Sequence, residues 1–274
     1  MDLNTVTGIE RPNSRETLPV WRDGDAFLGG GTWLFSEPQP AVTRLIDLAA
    51  FGWQPLRVSA GGLEIAATCT VAELDTLALP VEWSAAPLIG QCCRAFLASF
   101  KVWNTATVGG NLCLALPAGP MISLAAALDG VCTIWSGDGG ERRVEAAAFV
   151  TGPQRNVLAA GELLRRIDIP AATLMRRTAF RQISLTPAGR SAALLIGTRG
   201  AREPGFVLTV TAATPQPVRL AFDAMPSADE LRARIESGIA TYYDDIHGQP
   251  AWRHHVTLHL AEQIRDELSA EPLP

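Results

Sequence analysis

A chain of 274 residues, 47% hydrophobic and 19% charged, is long enough for one large or two modest cores and is globular rather than disordered in composition. Its net charge of −5 argues against a nucleic-acid partner, which would want a basic face. No apolar run is long enough to span a bilayer and no charged-then-apolar leader opens the chain, so it reads as cytoplasmic.

In chain order, residues 1–55 predict a short strand, a glycine loop, a helix and a strand over 45–48. The loop is Ala26-Phe-Leu-Gly-Gly-Gly-Thr-Trp-Leu-Phe35, three glycines and Thr32 between two apolar patterns. Backbone N–H groups converging at such a turn, helped by the positive end of a helix, bind a pyrophosphate without Lys or Arg. From 56 to 172, strands over 63–67 and Val131–Trp135 flank helices over 71–79, 83–100 and 121–128, and Pro170 closes this portion because it cannot continue a ladder in mid-sheet. A second glycine loop lies here, Lys101-Val-Trp-Asn-Thr-Ala-Thr-Val-Gly-Gly-Asn111. Glycine lets backbone press against a phosphate, Thr107 offers a hydroxyl and Asn111 both donates and accepts, so the segment reads as an anion-cradling turn. The remainder predicts strands over Arg177–Ile183 and Phe206–Thr211, then helices over Ala228–Gly238 and 251–268. Strands with separate helices indicate an α+β fold of mixed α/β layers.

Four familiar motifs fail. A Rossmann fingerprint finds Gly29, Gly31 and the strand-closing Asp47, but Leu34 stands where the third glycine belongs. A P-loop needs Gly-Lys-Ser/Thr, and Lys101 is the only lysine in the chain. The five cysteines, at 69, 92, 93, 113 and 132, lack C-x-x-C spacing or a nearby histidine and read as buried small hydrophobes. His255 and His259 have i, i+4 spacing, yet no Glu or Cys completes a metal set beside them and His254, so they read as a half-exposed helix face. The pairs Arg142-Arg143, Arg165-Arg166 and Arg176-Arg177 read as solvated edges or subunit contacts, and no nucleophile–base pair or carboxylate dyad is found.

The order of segments resembles the FAD-binding medium subunit of the molybdenum hydroxylases, the group of xanthine dehydrogenase and aerobic carbon monoxide dehydrogenase. The resemblance runs from Gly29-Gly-Gly-Thr-Trp33 and Arg44-Leu-Ile-Asp-Leu48 through Leu63 to Leu74 and Val102-Trp-Asn-Thr-Ala-Thr-Val-Gly-Gly-Asn111. It continues in Ala115-Leu-Pro-Ala-Gly-Pro120, Ala125 to Gly130, Gly161 to Pro170, Ala213 to Leu220 and Trp252-Arg-His-His255. It covers nearly the whole chain in register.

The resemblance implies a two-lobed FAD-binding domain of the vanillyl-alcohol-oxidase/PCMH type over 1–172, with lobes 1–55 and 56–172, and a C-terminal domain of a small antiparallel sheet and helices over 173–274. It implies FAD contacts from Leu28, Gly29, Gly30, Gly31, Thr32, Trp33, Leu34, Ala106, Thr107, Gly110, Asn111, Gly119 and Pro120. The pyrophosphate is expected on Gly30, Gly31, Gly109 and Gly110. Arg181 is expected near the flavin ring, where a cation would stabilise an anionic reduced flavin. Trp33, Trp103, Ala106 and Pro120 depart from the family's usual Asp/Asn, Arg, Gly and Asp. The two indoles are expected beside the cofactor, covering it by stacking where polar contacts are missing. The implied role is electron transfer to an external acceptor, from a molybdenum cofactor on a large molybdopterin-binding subunit through two 2Fe-2S clusters on a small iron–sulfur subunit, in a dimer of heterotrimers. The rivals are a flavin-free assembly subunit and a stand-alone flavin reductase.

Overall fold

The structure, a computed structural model, describes residues 3–200 and 204–270. The first sheet is three-stranded and parallel, with β1 (Gly8–Glu10), β2 (Asp25–Leu28) and β3 (Arg44–Asp47) in the order β1-β3-β2. β3 is central, so Leu45 and Ile46 are buried, and its Arg44 donates to the Asp25 carboxylate at 2.7 and 2.6 Å. That hydrogen-bonded guanidinium holds the Asp25 carboxyl below its usual range. Leu28 pairs with Asp47, so β2 and β3 end together and the first glycine loop leaves from the carboxyl edge of the sheet, where parallel strands commonly place ligands.

The helix expected after this loop is absent. Phe35 N–H bonds to Gly31 O and Ser36 N–H to Trp33 O, and the chain then turns away. Pro38 and Pro40 push the residues before them toward extended conformations, which stops the helix after one turn. Asp47, which a Rossmann reading would give to a ribose, instead accepts from Ala49 N–H at 3.1 Å and caps the 3-10 turn Leu48–Phe51.

The second sheet is antiparallel, with β4 (Leu56–Ser59), β5 (Gly62–Ala66), β6 (Val131–Trp135), β7 (Glu141–Glu145) and β10 (Leu163–Pro170) in the order β4-β5-β10-β6-β7. Between β5 and β6 lie α1 (Val71–Asp75), α2 (Ala86–Ala95), α3 (Phe100–Trp103), α4 (Val108–Leu114) and α5 (Pro120–Ala127). Between β7 and β10 come α6 (Ala146–Phe149) and the hairpin β8 (Val150–Gly152) and β9 (Arg155–Asn156). The single helix expected over 83–100 is shorter, and a separate short helix, α3, starts only at its end. α2 begins at Ala86 with Pro87 in its first turn, and the chain bends after Ala95 where the Trp103 indole N–H donates to Phe96 O at 2.9 Å.

After α7 (Ala171–Leu174), the third sheet runs β11 (Arg177–Ile183), β12 (Ala193–Arg199), β13 (Phe206–Thr211) and β14 (Val218–Phe222), all antiparallel, followed by α8 (Ala228–Gly238) and α9 (Pro250–Ser269). β12 escapes pattern reading because it is buried on both faces and does not alternate. Its Leu194 and Ile196 join a core with α2, α4 and α5, while Ala193 and Leu195 join a second core with α8 and α9. Among the described residues no helix is long and apolar enough to cross a membrane.

Candidate cofactor-binding site

The two glycine segments meet back to back. A Cβ at Gly30 would stand 1.7 Å from Thr105 O, and one at Gly29 would stand 3.0 Å from Thr107 Oγ1. Gly31 has φ +70, a left-handed conformation in which a side chain is strained. Beside this junction opens a cavity of about 640 Å³. Its wall includes Leu28, Gly29, Gly30, Gly31, Thr32, Trp33 and Leu34 from the first segment, Ala106, Thr107, Gly110 and Asn111 from the second, and Gly119 and Pro120 at the start of α5. Of the expected neighbours of the cofactor, all but Gly109, Trp103 and Arg181 are thus brought to one place.

The segments contribute in different ways. Among the described residues, the N–H groups of Gly30, Gly31, Thr32 and Trp33 have no hydrogen-bond acceptor. They are free donors at a strand's carboxyl end, the arrangement that binds a phosphate. The second segment is not a cradle. It forms the first turn of α4 with Thr107 as its cap, and its amides are already used. Val108 N–H goes to Cys69 O at 2.8 Å, Gly109 to Ala67 O at 3.0 Å, Gly110 to Thr107 Oγ1 at 3.0 Å and Asn111 to Thr107 O at 3.0 Å. Gly109 is buried, and a Cβ there would come within 2.6 Å of Ala67 O. Its glycine serves packing on the residue after β5, which corrects its assignment to the pyrophosphate. Gly110 is exposed and faces the cavity.

Asn111 lines the cavity and also shapes it, because its Oδ1 accepts from Met121 N–H at 3.1 Å and so ties α4 to the start of α5. Its Nδ2 has no protein partner among the described residues and is available to a ligand. Asn111→Ala is therefore expected to weaken FAD binding by roughly three- to tenfold for one lost neutral hydrogen bond, and to lower stability by about 1 kcal/mol because an amide at the start of α5 loses its acceptor. Titration of the apoprotein with FAD, run beside urea unfolding, separates the two effects; an unchanged dissociation constant with lowered stability would leave Asn111 a purely structural residue.

Two expectations are corrected by side-chain direction. Trp103 does not line the cavity; its indole is packed against the core and bonded to Phe96 O, which fixes the segment Phe96, Leu97 and Ala98 that does form wall. Trp33 alone of the two indoles reaches the cavity. Arg181 sits on the wrong face of β11, since alternate strand residues point to opposite sides. Its guanidinium donates to Gln263 Oε1 at 3.1 Å and to Glu267 Oε2 at 2.6 Å, both on α9. Its neighbour Gln182 faces the other way and donates to Ser191 Oγ at 2.8 Å, and Ser191 is part of the cavity wall.

Sequence reasoning missed Arg190, Ser191, Gln39 and Gln154, which also line the cavity. Pro187 and Gly189 mark a turn between β11 and β12, but nothing local tells that the turn folds over a glycine loop more than one hundred residues earlier in the chain. Cys113, also in the wall, is half-buried by area yet deep enough for desolvation to push its thiol up to about 12, so it stays protonated and inert. The histidines stand elsewhere: His254 bonds Glu236 and His259 bonds Gln263, each at 2.9 Å. No group of three metal-ligating side chains occurs among the described residues.

Residues 17–172 match the family model described as the FAD binding domain in molybdopterin dehydrogenase, and the chain belongs to that family. Solved structures show the same fold over nearly the full length. Carbon monoxide dehydrogenase from Oligotropha carboxidovorans is 20% identical with a TM-score of 0.82, covering 97% of this chain and 98% of that one. Quinoline 2-oxidoreductase from Pseudomonas putida 86 is 21% identical with a TM-score of 0.77 over 97% and 98%. A carbon monoxide dehydrogenase from Hydrogenophaga pseudoflava is 18% identical at 0.77 over 95% and 96%. No curated protein sequence matches the chain.

FAD is the family's cofactor, and the cavity fits it. Its volume of about 640 Å³ lies within the roughly 300–1,000 Å³ usual for such ligands. Four free amides suit the phosphates, an apolar wall suits the rings, and among the described residues no carboxylate lines the cavity to repel the dianion.

Proposed function

We propose that this chain is the FAD-carrying electron-transfer subunit of a molybdenum hydroxylase complex of the xanthine dehydrogenase kind. The observation that carries the reading is the wall itself: free amides for phosphates and, among the described residues, no Asp, Glu, His, Lys or Tyr to act as acid or base on a substrate. A stand-alone reductase would need such a group beside the flavin. Bound FAD would supply the exchange of electrons, and the protein would supply position and electrostatics.

In this reading Gly30, Gly31, Thr32 and Trp33 bind the pyrophosphate through their amides, and Gly110 presents a bare Cα so that the cofactor lies close. Asn111 Nδ2 and the Thr107 hydroxyl orient it, and Trp33, Phe96 and Leu97 keep water from the rings. The FAD-binding domain spans 1–172 in lobes 1–55 and 56–172, and the C-terminal domain spans 173–274. Electrons arrive from two 2Fe-2S clusters of a small iron–sulfur subunit, fed by the molybdenum cofactor of a large molybdopterin-binding subunit, in a cytoplasmic dimer of heterotrimers. The test is the visible absorption spectrum of the purified complex with quantitation of released cofactor. One FAD per chain is expected. A folded, colourless chain that takes up no added FAD would overturn the proposal and leave a flavin-free assembly subunit.

A further inference from the structure

Among the described residues the cavity wall carries a single ionised side chain, Arg190, delivered by the turn between β11 and β12. Its guanidinium lies 5.8 Å from the centre of the Trp33 ring, and among the described residues no carboxylate pairs with it. Arg181, the cation that sequence position favours, is on the opposite face of β11 and already matched by Glu267. The free positive charge at this site therefore belongs to Arg190.

We infer that Arg190 is the residue that faces the flavin ring and raises its reduction potential, an inference that rests on the cavity holding FAD. In the proposed function the free amides of Gly30 to Trp33 and the Asn111 Nδ2, all in the cavity wall, hold the phosphate end of the ligand. Arg190 comes from the third sheet instead and lies over the indole ring of Trp33, in a wall that also carries the apolar side chains of Phe96 and Leu97. An oxidised flavin ring is neutral and gains negative charge on reduction. A fixed cation beside an apolar wall, with no carboxylate to offset it, stabilises the reduced form more than the oxidised one. An arginine stays charged at any working pH and, stacked on an indole, keeps its place without an ion pair.

The experiment uses the full chain loaded with FAD and compares wild type, Arg190→Gln and Arg190→Lys by dye-coupled potentiometry and by FAD titration. Arg190 is exposed, so neither change threatens the fold. For a solvent-screened single charge, Arg190→Gln should lower the equilibrium constant for reduction roughly three- to tenfold and Arg190→Lys should restore most of it. FAD content should be the same in all three. An unchanged potential with weakened FAD binding would place Arg190 on the phosphates and overturn the inference, as would no change in either. Wild-type chain that binds no FAD would overturn the proposed function and this inference with it, whereas a flavin-loaded chain with an insensitive potential overturns this inference alone.

Discussion

Gly110→Val is expected to abolish FAD uptake while leaving the chain folded. Gly110 sits in the first turn of α4 and looks into the cavity, and the one atom a Cβ would meet is Thr107 Oγ1 at 2.8 Å. That hydroxyl caps the helix, and displacing it costs about 1 kcal/mol, partly offset because valine suits a helix better than glycine does. The valine methyls then occupy the space where the cofactor must touch bare backbone. A rise in the FAD dissociation constant of about a hundredfold or more, equal to about 2.7 kcal/mol, is the expected scale. The far-ultraviolet circular dichroism spectrum should match wild type. Full flavin occupancy in this variant would remove Gly110 from the site.

The neighbouring glycines give the contrast that makes the result specific. A methyl at Gly30 would have to share space with Thr105 O, and one at Gly109 with Ala67 O, both backbone atoms that cannot swing aside. Alanine at either position should therefore lower stability first and affect FAD only through the damaged fold, with overpacking costs of about 1–3 kcal/mol or more. Gly30 thus has two duties, donating a free amide and letting the two segments touch.

Much of this was legible in the sequence. The glycine segments, the Arg44–Asp47 strand, the capped helix at Ala228–Gly238 and the family resemblance all rest on local patterns, and local patterns survive folding. The Ser227 cap with Glu230 three residues on is a start signal that needs no tertiary context. What could not be read was side-chain direction across distance. Arg181 and Gln182 differ by one residue, and only the pairing of β11 with α9 decides that the arginine turns from the cavity and the glutamine toward it. The second glycine segment looks like a loop because glycine disfavours helices, yet Thr107 and the acceptors at Ala67 and Cys69 hold it helical. Trp103 looked like a cofactor neighbour by position, but an indole N–H that finds a backbone carbonyl at 2.9 Å is held in the core.

The largest loss of stability is expected from Arg253→Leu. Arg253, on α9, is 1% exposed and is the largest fully buried side chain among the described residues. Its guanidinium donates to Gly248 O at 2.9 Å and to the carbonyls of Ala192 and Ala212, and it pairs with Asp245. Leucine fills much of the volume but leaves three carbonyls and a carboxylate without their donor. Because Asp245 is partly exposed and water can reach it, the lower part of the usual range of about 3–5 kcal/mol for breaking a buried pair applies. For a chain of this size that corresponds to a fall in Tm of roughly 10 °C. The change also reaches the cavity. Ala192 follows Ser191 of the wall, and Ala212 N–H donates to Pro117 O at 2.9 Å, next to the Leu116 and Ala118 that line it. FAD should therefore bind more weakly to the folded variant, although Arg253 is not part of the wall. Chemical denaturation of the apoprotein gives the stability term and FAD titration well below the midpoint gives the second. A variant within about 1 kcal/mol of wild type would mean that water replaces the guanidinium at those carbonyls, and that α9 is held to the third sheet by its apolar face alone.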